Sequence, residues 1–99
     1  LYGCNLSGIN LSHARIRFVE FREVNFSHAD LSEIDADDLN FRRANFSYAN
    51  LRGAILHWCN FAEADLSHAN LSGANLTSAR FANANFTGAN LEGVQLNDT

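Results

Sequence analysis

The stretch ADLSEIDADDLNF, residues 29–41, sets five carboxylates in thirteen positions: Asp30, Glu33, Asp35, Asp37 and Asp38. Carboxylates at that density are the raw material of a Ca²⁺ site, which needs about 6–8 converging oxygens. Ser-His neighbours recur at Ser12-His13, Ser27-His28 and Ser67-His68, the residue types of a nucleophile and its base. Four histidines (His13, His28, His57 and His68) and two cysteines (Cys4 and Cys59) complete the set of metal-ligating or nucleophilic candidates. Whether any of them converge depends on the elements that aim them.

Those elements are written in a repeat. Every fifth residue from Leu1 to Leu96 is apolar, twenty positions without an insertion or deletion. Two residues before each centre stands a small or aliphatic residue, most often Ala, and between the two usually Asn or Asp. The unit Ala-(Asn/Asp)-(Leu/Phe)-x-x is clearest in ANLSGANLTS, residues 69–78. A period of five fits neither a continuous helix nor a long strand. Residues two apart share one side of an extended segment, so each unit points two apolar side chains inward and then turns. Seven of the eight phenylalanines are centres (21, 26, 41, 46, 61, 81 and 86), and at a period of twenty they fall into two of four phases. A third phase (11, 31, 51, 71, 91) is all Leu. Four sides per coil therefore follow, whereas a fifteen-residue coil would mix Phe with Leu and Ile.

Over essentially all 99 residues the pattern resembles the pentapeptide-repeat proteins. The resemblance implies an all-β fold: a right-handed quadrilateral (square) parallel β-helix, here of about five coils with four five-residue sides per coil. At about 4.8 Å per coil, a rod roughly 20–25 Å long is expected. Residues 1–99 read as a single domain, and because both ends are still in phase, a piece of a larger protein or an end-to-end homodimer is expected.

On this scaffold the candidate chemistry disperses. Asp30 and Glu33 belong to the Leu31 face, and Asp35, Asp37 and Asp38 to the Ala36 face. Residues twenty apart are vertical neighbours, so Asp35 is expected beside Arg15 and Asp37 beside Arg17, pairs worth roughly 0.2–1 kcal/mol. A flat face holds carboxylates side by side and does not converge them on a metal. His28 and His68 are two coils apart with Tyr48 between, roughly 10 Å, too far to share a zinc whose bonds are near 2 Å. The Ser-His pairs are outward repeat products without a third orienting group. Nearly three coils separate Cys4 from Cys59, beyond the roughly 7 Å Cα limit for a disulfide; both read as small core residues. No catalytic residue, metal or cofactor is expected. Ala36 is the one small centre, and its neighbours Ile34 and Leu39 are large, an exchange of volume that cores tolerate. The Asn/Asp ladder reads as structural, its side chains bonding the backbone at turns or one another up the stack.

Departures from the motif gather on the Ala36 face: Arg15, Arg17, Phe18, Asp35, Asp37, Asp38, Ile55, His57 and Trp58. Phe18, Asp38 and Trp58 stack in one column, and Ile55 replaces the usual outward Asn. Exposed aromatics among mixed charges mark a protein interface. The expected function is a noncatalytic structural or interaction module, a rigid rod presenting a flat face to another protein. The resemblance adds a DNA mimic that binds DNA gyrase, in the manner of quinolone-protection proteins, and the in-phase ends add the expectation of a partner-selecting domain of a larger bacterial effector. A net charge of −4 and arginines at 22, 42, 43, 52 and 80 fit an acidic DNA mimic poorly and argue against direct nucleic-acid binding. No apolar run approaches the roughly 18 residues of a membrane span. Asn-x-Ser/Thr at Asn5, Asn10, Asn25, Asn45, Asn70, Asn75, Asn85 and Asn97 favours a cytoplasmic chain over a glycosylating secretory route.

Overall fold

The structure, a computed structural model, describes residues 1–98. The middle residue of each side forms a parallel bridge with the residue twenty positions on, from Asn5 with Asn25 to Asn75 with Gln95. These bridges make four ladders and close the chain into a four-sided coil, with the twenty-residue register that the phenylalanine phases predict. The first side carries the centres Leu6, Phe26, Phe46, Leu66 and Phe86, and the second carries Leu11 and the leucines below it. The third runs Ile16, Ala36, Leu56, Leu76, Leu96, and the fourth Phe21, Phe41, Phe61, Phe81.

Pairing is more local than a strand-built side would give, because each side contributes a single bridging residue. Around it the bonds repeat: Leu6 N–H donates to Asn25 O at 2.7 Å, Asn25 N–H to Cys4 O at 2.9 Å, and Gly8 N–H to Ser27 O at 2.9 Å. The corners are made by the two x residues. Counted from its Leu or Phe centre, the third residue of every unit is left-handed, with φ between 56° and 71° across fourteen non-glycines and all six glycines. Positive φ at that place, with the fourth N–H returning to the first C=O, is the signature of a type II turn. The Asn or Asp ahead of the turn fastens it. Asn50 Oδ1 accepts the Arg52 N–H at 3.0 Å, and Asn5, Asn25, Asn45, Asp65 and Asn85 act alike. These carbonyls bond locally to the turn and not up the ladder as stacked amides would. Asp30 takes both the Ser32 hydroxyl and its N–H, which lower its pKa below the ordinary aspartate value in that order of size.

The turn-closing bond reports on the side chain at the unit's fourth residue. Where that residue is Ala, as at Ala29, Ala49 and Ala69, the bond measures 2.9–3.1 Å. At Val24, Cys4 and Ile34 it lengthens to 3.2, 3.3 and 3.4 Å, and at Val19 and Leu39 no such bond forms among the described residues. The cause is steric: a larger inward side chain pushes the backbone of the turn outward, while alanine lets it close.

Inside the coil the two phenylalanine phases interlock. Phe21, Phe41 and Phe61 stack at 5.5 and 5.2 Å, Phe26 stacks on Phe46 at 5.3 Å, and the two columns meet edge to face, Phe41 against Phe46 at 5.2 Å and 72°. Offset and edge-to-face pairs are the preferred aromatic arrangements. Ile34, Ala36 and Leu39 are all buried, as an exchange of volume among them requires. The expected rod is corrected: principal extents of 30, 27 and 25 Å make a block about as tall as it is wide. At this number of coils the stacking height only matches the width of the square.

Cys59 is buried in the fourth residue's place, and its Sγ donates to Ala36 O at 2.8 Å. Burial pushes its thiol up to about 12. Since the thiolate is the reactive form, Ellman's reagent at neutral pH should modify at most one thiol of the native chain, and both once it is unfolded in denaturant. Prompt labelling of two thiols in the native protein would contradict this burial.

Candidate functional site

The corner between the third and fourth sides departs from the lattice. Four bonds that the other corners make are missing there among the described residues: Phe18 N–H to Asp37 O, Asn40 N–H to Val19 O, and the turn closures of Val19 and Leu39. All four fall at residues 16–20 and 36–40. Side chains answer two of the stranded carbonyls. The Arg17 guanidinium donates from Nη1 to Ile16 O at 2.9 Å and to Asp35 O at 2.8 Å, and Cys59 covers Ala36 O. The result is a cleft between the first two coils, walled by Phe18, Val19 and Glu20 above and by Asp37, Asp38 and Leu39 below.

The expected charge pairs are rearranged. Arg17 Nη2 binds Asp35 Oδ1 at 2.9 Å and lies only 3.9 Å from Asp37 Oδ2, whereas Arg15 makes no ion pair among the described residues. The reason is the register: Arg15 and Asp35 form a backbone bridge on the side, while Arg17 sits at the opened turn and reaches back across it. Asp37 Oδ1 is shielded from solvent and accepts no hydrogen bond; His57 Nδ1 stands 3.4 Å away, an ion-pair distance if the ring is protonated. Asp38 pairs with nothing through its carboxylate among the described residues. Its N–H donates to His57 O at 2.8 Å.

Phe18 is 100% exposed, Trp58 62% and Ile55 39%. Phe18 and Trp58 hold left-handed corner positions at φ 62° and 65°, which aim them away from the core. Sequence reasoning left Arg80 off this face, yet it borders a second cleft with Asp38, Trp58, Ser78 and Asp98. The twenty-residue column 18, 38, 58, 78, 98 already contained that neighbourhood.

On the corner between the first and second sides, His28, Tyr48 and His68 stack in consecutive coils, with ring centroids 5.1 and 4.8 Å apart. Tyr48 fills the space between the imidazoles, so the two histidines cannot share a metal. Elsewhere Arg43 lies between Glu63, at 2.7 Å, and Glu23, at 3.8 Å. Hydrogen bonds from Arg43 and then Arg42 hold Glu63 below the ordinary carboxylate value. Among the described residues, no helix is long and apolar enough to cross a membrane.

The family model described as Pentapeptide repeats matches residues 1–32, 20–61 and 59–98 in eight copies. Among solved structures, a pentapeptide repeat protein of the Arabidopsis thaliana thylakoid lumen is 28% identical, with a TM-score of 0.51 over 95% of this chain and 62% of that one. A pentapeptide repeat protein (Rfr23) from the cyanobacterium Cyanothece 51142 is 24% identical, with a TM-score of 0.49 over 96% and 89%. QnrB1, a plasmid-mediated fluoroquinolone resistance protein, is 20% identical, with a TM-score of 0.49 over 94% and 60%. The chain thus spans less than two thirds of the Arabidopsis protein and of QnrB1. No curated protein matches it.

Proposed function

The chain belongs to the pentapeptide-repeat family, and we propose that it works as a noncatalytic interaction module whose third side and following corner dock another protein. The scaffold of this reading is a right-handed quadrilateral β-helix of about five coils, a single domain within 1–99 that serves a larger protein as its partner-selecting segment. The supporting observation is the coincidence of two independent irregularities: the corner that loses four lattice bonds is the one that exposes Phe18 and Trp58. Arg15, Arg17, Asp35, Asp37, Asp38, Ile55 and His57 surround these aromatics as a mixed-charge rim, and aromatic anchors within a polar rim are the usual anatomy of an interface. A rigid frame loses little entropy on binding, which favours recognition by a preformed surface.

The apolar end of the coil offers a second surface. Leu91 is 44% exposed there, beside the partly buried Phe81 and Phe86, and a second copy or a flanking domain would cover it. A DNA mimic acting on gyrase draws no support from the surface, because Arg43 interrupts the Glu23–Glu63 column and pairs with both carboxylates.

The test is a Phe18→Ala/Trp58→Ala double variant. Both side chains are exposed, so folding should be unchanged within about 0.5 kcal/mol. Partners retained by the wild-type protein in affinity capture from its own cells should be lost. If every retained partner survives the double change, this face is not the docking surface.

A further inference from the structure

We propose that the slot between Phe18 and Trp58 receives a planar cation, an arginine side chain of the docking partner, with Asp38 as its counter-charge; this rests on the corner being the interaction face.

The molecule carries its own ruler for such a slot. In the His28 column, rings occupy three consecutive coils, and the middle one, Tyr48, lies 5.1 and 4.8 Å from its neighbours. In the Phe18 column the first and third coils carry rings, but the second carries the short side chain of Asp38. Two coil steps place the outer rings about 10 Å apart. A flat group at the midpoint would lie about 5 Å from each, inside the roughly 6 Å range of cation–π attraction. The missing Phe18–Asp37 and Val19–Asn40 bonds leave the upper half of the slot open.

Charge selects what enters. Asp38 lines both the cleft under Phe18 and the one beside Trp58. Around these clefts stand Glu20, Asp37, Asp38 and Asp98 against Arg17 and Arg80, an excess of carboxylate. Three of the five donors of Arg17 are already committed, to Ile16 O, Asp35 O and the Asp35 carboxylate. Asp38 is therefore a carboxylate with no ion pair among the described residues, one coil from Phe18 and one from Trp58 in the same column. Guanidinium suits it better than ammonium: it is planar, weakly hydrated, stacks on rings, and presents a fork of donors to a carboxylate. A lysine keeps a compact, strongly hydrated charge.

Trp58 is the sole tryptophan, so its emission reports occupancy directly. The probes are acetyl-Gly-Arg-Gly-amide and its lysine and citrulline counterparts, titrated into the whole chain at low ionic strength. A saturating change is expected with the arginine peptide, a midpoint at least about fivefold higher with lysine, and no saturation with citrulline. Asp38→Asn, which keeps the reporter and an exposed amide of the same shape, should raise the arginine midpoint at least about fivefold. Equal responses to arginine and citrulline, equal responses to arginine and lysine, or an Asp38→Asn titration that overlays the wild type would each overturn the assignment. Such a result alongside loss of partners in the Phe18→Ala/Trp58→Ala variant would keep the interaction face and remove only the arginine from it.

Discussion

Phe46→Ala is expected to destabilise the protein by about 3–5 kcal/mol, among the largest effects of any single truncation in the coil. Phe46 is fully buried, stacked on Phe26 at 5.3 Å and edge-on to Phe41 and Phe61 at 5.2 and 5.6 Å. Its ring is therefore one of the points where the two phenylalanine columns lock together. The four ladders hold the walls in place around it, so the space cannot collapse and the cavity term is felt almost in full. Since small domains are stable by only about 5–15 kcal/mol, urea denaturation should show the midpoint falling by a third or more. A loss below about 1.5 kcal/mol would mean that the square cross-section yields more readily than its backbone lattice implies. Phe86, on the same side but partly buried near the coil's end, should cost distinctly less.

The second large effect is overpacking at the one small centre. Ala36→Leu restores the motif yet should cost about 1–3 kcal/mol, because Ile34 and Leu39 already occupy the volume. The added side chain would also press on the Ala36 carbonyl that Cys59 covers. Combining Ala36→Leu with Ile34→Ala should recover much of the loss, giving a coupling energy in the range of about 0.5–3 kcal/mol for residues in contact. Additive losses in chemical denaturation would sink the idea that volume is exchanged between these positions.

The coil itself was legible in the residue types alone. The phase of seven phenylalanines specified four sides, and the bridges at twenty-residue spacing agree. The corners were harder to read. All six glycines occupy the third residue of a unit, the one phase that is left-handed throughout. They look scattered along the chain, yet the period gathers them at one place, and that was the available signal for the turn. Individual ion pairs were not legible, because vertical register predicts neighbours only where the backbone stays regular. Arg17 turns to Asp35 because its own corner is open, where the turn closures of Val19 and Leu39 are absent among the described residues. The role of a fourth-residue side chain in setting the turn length needed distances, since the sequence marks such positions only as small or aliphatic.

The ladder spacing also dictates how the chain finds its fold. Every bridge joins residues twenty apart, so no coil can be gained without closing a loop of that size. Loop-closure entropy for twenty residues is about 2.7 kcal/mol before constant terms, and it recurs identically at each step instead of growing with the structure. Folding should thus behave as nucleation followed by templated addition, as in other one-dimensional repeat assemblies, with the phenylalanine-rich middle as the seed. The first coil, which lacks two inter-coil bonds opposite residues 37 and 40, should join last and release first. Native-state hydrogen exchange would see this as amides of the opening twenty residues exchanging through a lower-energy opening than those of residues 41–79.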